Sequence, residues 1–347
     1  MLYDAHCHLE ISDCNETSGS RLLAFIDSQP IPDNFFGLMS TCQYDIDLVE
    51  FLGDHSAKVV PCFGVHPWYS HLFTFDETVD KKMHYSAVLS PAPSDEFLSI
   101  LPPPTLFSSY LTKLETYLVK HKVSFMGEIG LDKVFRVPWA GFFGSNARVE
   151  GVQGRFSPYK VDFNHQRRIL QEQLRLAASL EKPVSVHCVK AQGALYEEIT
   201  AHQEVYNHIP SVCLHSYTGS FDQAMMWVKF FKKERLNVYF SLSQVINGVR
   251  ENEAKMLLFK QIVKHIPPEC LLIETDMTLN QISLPSAEAS SSADSLECNC
   301  QSDARLSFAG YTQLLDQVFE RICETQNWDQ STCRGYLLDN WRAFQHQ

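Results

Sequence analysis

The sequence lacks three features that would place it in a special class of protein. No stretch approaches the roughly 18 consecutive apolar residues that cross a bilayer, and the apolar start at Leu2 has no basic segment of the kind that opens a signal peptide. Positive charge is not in excess, since 29 lysines and arginines against 41 aspartates and glutamates give 29 − 41 = −12. We therefore expect a protein of the cytoplasm, the nucleus or both, with no membrane partner.

The composition is otherwise that of an ordinary globular protein. Hydrophobic residues make up 45% of the chain and charged residues 20%, which excludes a disordered, collagen-like or fibrous protein. The acidic balance argues against a general nucleic-acid coat protein, because sequence-independent phosphate binding depends on clustered Lys and Arg. Any nucleic acid bound here needs positive charge from another source. The 11 cysteines are scattered along the chain, which favours free thiols over a disulfide framework.

Short apolar runs recur along the chain, and each ends at a polar residue. The eight runs are Leu2–His6, Phe36–Thr41, Val59–His66, Val123–Asp132, Pro183–His187, Val212–His215, Val238–Ser243 and Cys270–Asp276. Segments of helical periodicity, such as 111–118 and 170–177, separate several of them. Strands that alternate with helices indicate a parallel sheet of βαβ units.

Two architectures share this alternation. In a (β/α)8 TIM barrel the carboxyl ends of all strands converge on one face. In an open doubly wound sheet they lie along an edge and do not surround a common mouth. Periodicity alone predicts the two folds about equally well. The residues at the strand ends favour the barrel, because polar side chains of the metal-ligand type would then meet in space. We predict an α/β protein whose residues 1–347 form a single TIM barrel.

Three regions of the sequence are predicted to be insertions, at about 68–104, 135–158 and 283–302. The first contains a Pro-rich run, the second is punctuated by four glycines, and the third is rich in Ser, Ala and acidic residues. All three come after predicted strand ends, where barrel loops build the active site. They either gate or specify the substrate, or they are tolerated surface loops.

The strongest local signal is the segment Asp4-Ala5-His6-Cys7-His8 at the end of the first predicted strand. Because strand side chains alternate, His6 and His8 point to the same side and Cys7 to the other. Two imidazoles on one side are able to chelate a metal ion. Taken alone, the pair is equally compatible with two polar residues at a strand end.

Further strand ends carry residues of the same type. They are Glu128 in the fourth run, His187 in the fifth, His215 in the sixth and Asp276 in the eighth. Each has a structural alternative in isolation, as a helix cap or a satisfied core histidine. Their shared placement at one mouth of the barrel indicates a common site.

The combined set contains six ligands, which is too many for one tetrahedral ion but enough for two ions that share a carboxylate. We assign Glu128 as the bridge, with His6, His8 and Asp276 on one ion and His187 and His215 on the other. Paired cations suit phosphodiester cleavage, because they stabilise both the attacking and the leaving oxygen. They would also supply the positive charge that the composition lacks. The sequence leaves the choice among Mg²⁺, Mn²⁺ and Zn²⁺ open.

Together these segments resemble the TatD family of metal-dependent deoxyribonucleases. The resemblance runs from residue 1 to about residue 344, with the motifs in the family's order: Asp4-Ala5-His6-Cys7-His8-Leu9, Gly64-Val65-His66-Pro67, Gly127-Glu128-Ile129-Gly130-Leu131-Asp132, Val186-His187, Leu214-His215-Ser216-Tyr217-Thr218-Gly219-Ser220, Ile273-Glu274-Thr275-Asp276 and Asn340 through Phe344. It implies a TIM barrel of the metal-dependent hydrolase type that acts on DNA, with divalent cations on the residues already named.

The sequence departs from the family pattern beside the fifth strand. Val189 stands where the family usually has an Arg, Ala191 is retained, and Lys190 is the candidate replacement for the missing phosphate contact. The Pro that usually comes after Glu-Thr-Asp is also absent. His66 is a second candidate for substrate binding, as a hydrogen-bond donor to a phosphate oxygen, although fixing the turn before Pro67 explains it equally well.

The corresponding mechanism is attack of water on phosphorus, with Asp276 and Glu128 as the catalytic carboxylates and Asp276 accepting the proton. The resemblance implies a 3′-to-5′ nuclease, with single-stranded DNA or 3′ ends as the partner. Two alternatives stay open. One is an amidohydrolase or lactonase acting on a small molecule, in which a carboxylated Lys often takes the place of Glu128. The other is a catalytically weakened barrel that binds a protein partner through its insertions.

Overall fold

Eight parallel strands form the main sheet of the computed structural model, which describes residues 2–248, 252–282 and 306–345. The strands are β1 (Asp4–Cys7), β2 (Phe36–Met39), β3 (Val59–Phe63), β4 (Phe125–Asp132), β5 (Val184–Val189), β6 (Ser211–Leu214), β7 (Asn237–Ser243) and β8 (Leu271–Glu274). Each of the eight overlaps one predicted run, with ends that differ by a few residues, as in β3, which ends at Phe63 and not at His66. Each strand pairs with its neighbour in chain order, whereas a doubly wound sheet would break that order at a switch point.

The sheet closes between β8 and β1. The Asp276 amide donates to the His6 carbonyl at 3.0 Å, and the His8 amide donates to the Met277 carbonyl at 2.9 Å. Below these bonds, the Asp4 carboxylate accepts hydrogen bonds from the Thr275 amide at 2.9 Å and from its hydroxyl at 2.6 Å. The predicted TIM barrel is therefore confirmed.

Helices cover the outside of the barrel and alternate with the strands. In the described ranges they are α1 (Glu16–Ser28), α2 (Ile46–His55), α3 (Lys81–Val88), α4 (Asp95–Ile100), α5 (Phe107–Lys120), α6 (Phe163–Ser179), α7 (Gln192–Ala201), α8 (Gln203–Tyr206), α9 (Phe221–Glu234), α10 (Glu253–His265), α11 (Phe308–Gln326) and α12 (Gln330–Phe344). The helices between barrel strands turn an apolar stripe toward the sheet, as in α6, which buries Leu170, Leu174 and Ala177, whereas α3 and α4 pack within the insertions. None of these helices is long and apolar enough to cross a membrane.

The interior of the barrel is a packed core. Met39, Phe125 and Tyr239 fill it from three different strands, and α12 contributes Trp341 and Phe344 at the amino ends. Strands buried on both faces read as near-continuous apolar runs, which is why the sequence shows runs instead of alternation. Polar side chains collect above this core, at the carboxyl ends.

Two bulges turn functional side chains inward. In β1 the three-residue step from Asp4 to Cys7 faces a two-residue step in β2, and in β4 the step from Met126 to Ile129 faces a two-residue step in β5. An extra residue in one strand re-aims the side chains beside it. His6 and Glu128 both lie within these bulged segments and point into the barrel mouth.

The insertions differ in structure. The first, predicted at 68–104, is not a simple loop, because it contains α3, α4 and short strands at 73–74 and 89–90. The second, predicted at 135–158, is closed by an antiparallel ladder in which the Val137 amide donates to the Tyr159 carbonyl and the Ser157 amide donates to the Val137 carbonyl, both at 2.9 Å. The third, at 283–302, lies outside the described residues.

Three histidines hold the first insertion, one by a bond within it and two by bonds to its surroundings. Nε2 of His71 donates to the Gly141 carbonyl at 2.9 Å, Nε2 of His84 to the His71 carbonyl at 2.8 Å, and Nε2 of His165 to the Ser70 carbonyl at 2.9 Å. Burial lowers the pKa of both His71 and His165 to about 4. These rings are therefore neutral donors at physiological pH.

We predict that this fastening makes the stability of the protein sensitive to acid. An unfolded histidine takes up a proton near pH 6.5 but buried His71 does so only near pH 4, so the unfolded state binds more protons between these values and stability falls as pH falls through that window. His71→Gln keeps a donor for the Gly141 carbonyl without titrating. The slope of unfolding free energy against pH, measured by urea denaturation, should drop by up to about 1.4 kcal/mol per pH unit. Equal slopes for the two proteins would contradict the prediction.

Candidate metal centre

A single carboxylate lies at the centre of the barrel mouth. Glu128 is 1% exposed, and five imidazole nitrogens lie within 3.2 Å of its oxygens. Around Oε1 are His66 Nε2 at 3.1 Å, His187 Nδ1 at 2.9 Å and His215 Nε2 at 2.8 Å. Around Oε2, at 3.2 Å, are the Nε2 atoms of His6 and His8.

The sixth predicted ligand, Asp276, lies beside this carboxylate. Its Oδ1 is 3.5 Å from His8 Nε2, which in turn is 3.0 Å from His6 Nε2. The His6 ring stacks on the His215 ring with 3.9 Å between their centres. The structure thus brings all six predicted ligand residues together at one rim, along with His66.

The geometry of this cluster fits metal ions. Glu128 Oε1 is buried and makes no hydrogen bond to a described residue, although three imidazole nitrogens lie within 3.1 Å of it. The nitrogens therefore do not aim at the oxygen as donors. Two ligands with bonds of about 2.1 Å to one ion lie roughly 3.0–3.4 Å apart, which is close to the separations of these atoms.

The outer nitrogens of three histidines have oxygen partners. His6 Nδ1 lies 3.0 Å from Ser185 Oγ, His187 Nε2 lies 3.4 Å from Asp132 Oδ2, and His215 Nδ1 lies 3.3 Å from Glu274 Oε1. A carboxylate or hydroxyl oxygen on the outer nitrogen holds the proton there and leaves a lone pair on the inner nitrogen. The tautomer of these three rings therefore suits metal coordination through the inner nitrogen.

His66 has the opposite arrangement. Its Nδ1 accepts a hydrogen bond from the Trp68 amide at 3.1 Å, so the proton of the neutral ring lies on Nε2. Burial lowers the pKa of His66 to about 4, which keeps the ring neutral. Nε2 therefore carries an N–H that points into the centre, which suits a hydrogen-bond donor and not a metal ligand. The ring therefore fixes the turn before Pro67, and its hydrogen bond to a phosphate oxygen stays a prediction.

The electrostatics of the centre favour bound cations. Burial acts to raise the pKa of Glu128, but the surrounding histidines outweigh it and hold the pKa well below its usual range. Burial also acts to raise the pKa of Asp276, and the hydrogen bond from His8 together with nearby histidines lowers it. Both carboxylates are ionised at neutral pH and so are available as ligands.

The backbone positions several of these side chains by close approach or by tight turns. A Cβ on Gly130, which has φ +152°, would lie 2.0 Å from the His187 carbonyl oxygen, so this glycine lets β4 and β5 approach each other beside the centre. Asp276 adopts a left-handed conformation with φ +56°. Asp tolerates that conformation better than most residues, and the turn returns its carboxylate toward His8.

Sequence reasoning missed the supporting residues Asp132, Ser185 and Glu274. Asp132 accepts from Trp68 Nε1 at 2.8 Å as well as facing His187, and burial acts to raise its pKa while these contacts lower it to about 2. Glu274 accepts from the Ser216 amide at 2.8 Å. Asp132 and Glu274 lie in the family motifs beside predicted ligands, and this adjacency was the available signal.

Lys190, predicted to bind substrate, comes directly after β5. It is exposed and adopts a left-handed turn with φ +53°. The structure places it at the same end of the barrel as His187, but outside the ring of histidines around Glu128. Its contact with a substrate stays a prediction.

Comparison with known proteins identifies the family. Residues 3–344 match the family described as TatD-related DNase. The chain belongs to the TatD family. It is therefore a metal-dependent hydrolase that acts on phosphodiester bonds, as the motifs predicted.

Individual relatives agree with this membership. The chain is 31% identical to the Cut9-interacting protein scn1 of Schizosaccharomyces pombe, covering 79% of this chain and 86% of that protein. It is 34% identical to an uncharacterized deoxyribonuclease of Saccharomyces cerevisiae, covering 80% and 84%. A 3′-5′ ssDNA/RNA exonuclease TatD of Citrobacter koseri is 29% identical over 33% of this chain and 42% of its own length. A TatD homologue of Escherichia coli has the same fold, with a TM-score of 0.55, 18% identity and coverage of 99% and 97%.

We predict that Glu274 tunes metal affinity through His215. Glu274→Gln keeps the shape of the side chain and an acceptor for His215 Nδ1 but removes the negative charge, which should weaken metal binding about 10- to 100-fold. Titration with Mn²⁺ or Zn²⁺ by calorimetry measures the change. Glu320→Gln, the same substitution on an exposed face of α11, serves as the control. Unchanged affinity in Glu274→Gln would refute the supporting role.

Proposed function

We propose that this chain is a deoxyribonuclease that removes nucleotides from the 3′ ends of single-stranded DNA with two divalent cations. The observation that carries the proposal is the convergence of the five other candidate ligand residues around the buried Glu128 carboxylate. The activity for which the Citrobacter koseri relative is named supports the strand preference and direction. A cytoplasmic or nuclear location remains a prediction.

The ligands divide into two groups around Glu128. His6, His8 and Asp276 would hold one ion, since their ligand atoms lie within 4.8 Å of one another, and His187 and His215 would hold the other. Glu128 contacts both groups, Oε2 with the first and Oε1 with the second. Two such cations would stabilise the attacking and leaving oxygens of an in-line displacement at phosphorus.

The remaining chemistry belongs to side chains of the chain itself. Asp276 is ionised and borders the centre, so it orients the attacking water and accepts its proton. His66 donates its Nε2 hydrogen to a nonbridging phosphate oxygen, where negative charge grows during the reaction. Lys190 lies on the rim, where its ammonium would contact a neighbouring phosphate.

We predict metal-dependent cleavage of 5′-labelled single-stranded DNA, with shortening from the 3′ end. Activity should require Mg²⁺, Mn²⁺ or Zn²⁺ and disappear in EDTA, and a phosphorothioate linkage at the 3′ end should block it. Glu128→Ala should lower kcat/KM by about two to three orders of magnitude, because it removes the carboxylate shared by both ligand groups.

Glu269→Ala, at an exposed site before β8, is the matched control and should keep full activity. Products of internal cleavage would contradict the direction of attack, and metal binding without any cleavage would contradict the nuclease itself.

A separate prediction concerns His66. Asn accepts hydrogen bonds from backbone amides at the starts of helical turns, so His66→Asn keeps an acceptor for the Trp68 amide while removing the Nε2 donor. Turnover should fall about 10- to 100-fold with metal affinity unchanged, as measured by steady-state kinetics and metal titration. Loss of a bound ion in His66→Asn would show instead that His66 is a ligand.

A second candidate function is supported by a relative. The Schizosaccharomyces pombe protein is named for an interaction with Cut9, and the insertions add surface around the mouth, so a weakened barrel that binds a protein partner is the alternative. If the unmodified protein binds metal but has no activity on DNA, this alternative is favoured. An amidohydrolase or lactonase is less favoured, because a glutamate occupies the bridging position and the family acts on phosphodiesters.

A further inference from the structure

A chain of aromatic rings runs from Trp68 of the first insertion into the second insertion, starting at the metal centre and ending in solvent. Trp68 has its ring centre 4.8 Å from that of His66, and Phe143 lies 5.4 Å further out. Phe156 is the next ring, at 5.9 Å from Phe143, and is 47% exposed. Phe135 stacks on Trp68 at 5.0 Å and supports it. We call Trp68, Phe135, Phe143, Phe156 and the adjacent Arg155 the rim ribbon.

Arg155 supplies the positive charge of the rim ribbon. Its guanidinium carbon lies 4.6 Å from the ring centre of Phe143 and 5.5 Å from that of Phe156. Among the residues that the structure describes, no ion pair or side-chain hydrogen bond joins this guanidinium to another group, although it is close enough to Glu10 to lower the pKa of that carboxyl against the effect of burial. An exposed, stacked guanidinium is free to pair with a phosphate.

The backbone holds the rim ribbon in place before any ligand binds. The Trp139 amide donates to the Arg155 carbonyl at 3.0 Å, and a bridge joins Pro138 to Phe156. The same insertion contacts the loop after β2, where Phe142 stacks on the ring of Tyr44 at 4.8 Å. Arg155 and Phe156 therefore sit on an ordered ladder whose position relative to the mouth is fixed at several points.

We propose that the rim ribbon binds the single-stranded polynucleotide next to the cleaved bond, with a base stacked on Phe156 and a phosphate paired with Arg155. This inference rests on the proposed nuclease function. Every base has a π-face, so stacking on an aromatic ring binds single strands without sequence preference, and a guanidinium beside the ring adds charge complementarity to the backbone. The occupant is a polynucleotide because the ribbon is continuous with a phosphodiester-cleaving centre and combines exposed stacking surface with cationic charge.

The ribbon also accounts for a departure from the family pattern. Val189 stands where the family usually has an arginine, and the whole chain carries a net charge of −12. Arg155 restores a guanidinium to the mouth from the insertion instead of from the β5 loop. Substrate contact would then depend on a segment that the barrel itself does not contain.

The test measures strand binding separately from chemistry. The metal-loaded protein is titrated into a fluorescein-labelled oligothymidylate of about ten nucleotides with phosphorothioate linkages, and binding is measured by fluorescence anisotropy at several salt concentrations. Arg155→Gln and Phe156→Ala should each raise Kd about fivefold or more, and Arg155→Gln should lower the slope of log K against log salt by about 0.7. Hydrolysis of bis(p-nitrophenyl) phosphate, which is too small to extend from the centre to Arg155 and Phe156 at the outer end of the ribbon, should be unchanged in both variants.

Controls and outcomes separate this inference from the proposed function. Arg342→Gln removes an exposed guanidinium from α12, at the opposite end of the barrel, and should bind like the unmodified protein. A parallel oligouridylate titration distinguishes DNA from RNA, and an effect on either strand supports the ribbon. Unchanged Kd and salt slope in both ribbon variants would overturn the inference. Ribbon-dependent binding by a metal-loaded protein that does not cleave 5′-labelled single-stranded DNA would refute the nuclease and leave the binding site standing.

Discussion

The buried Glu128 carboxylate is the group around which the site is organised. A lone ionised carboxylate at this depth would be very costly, and its usual partners, hydrogen-bond donors, do not approach Oε1 with suitable geometry. Instead, five histidines from four separate strand ends surround it. The arrangement is stable only if positive charge occupies the space between these groups, as protons on the imidazoles or as metal ions. The metal dependence of the family is thus visible as an electrostatic requirement of the fold.

That requirement explains why the barrel departs from ideal geometry where it does. In a regular strand, side chains an odd number of residues apart point to opposite faces. Ala5 and His6 could then not both face the barrel interior, and neither could Phe125 and Glu128. The bulges in β1 and β4 allow all four side chains to point inward, because each extra residue switches the face to which the side chains after it point. Closure between β8 and β1 then fixes Asp276 beside His8. The strand ends are precise because the packed layers below them leave little freedom to move.

The sequence predicted the barrel and the convergence of the six candidate ligand residues, because both follow from the pattern of apolar runs. Eight apolar runs that end in ligand-type residues need no knowledge of side-chain contacts, and His6, His8, Glu128, His187, His215 and Asp276 are identified by their position alone. The role of His66 could not be derived, since it depends on which ring nitrogen accepts the Trp68 amide. Asp132 and Glu274 lie in the family motifs, but their role could not be assigned, because a partner of an outer nitrogen is defined by geometry. The internal folding of the first insertion was also missed, since its helices are short and prolines flank them.

The division between barrel and insertions bears on how such an acidic chain binds DNA, which is itself negatively charged. Long-range attraction of DNA to a chain with net charge −12 would be unfavourable, so favourable charge has to be concentrated at the mouth. The barrel provides sites for cations over a short distance, where they act on the reacting phosphate. In the proposals above, charge further along the strand comes from the rim residues Lys190 and Arg155, which lie on loops and not on the strand ends that carry the candidate ligands. If the rim ribbon binds the strand as proposed, chemistry and strand recognition are carried by different parts of the chain, and a guanidinium from the second insertion takes the place of the arginine that the family usually has at the position of Val189.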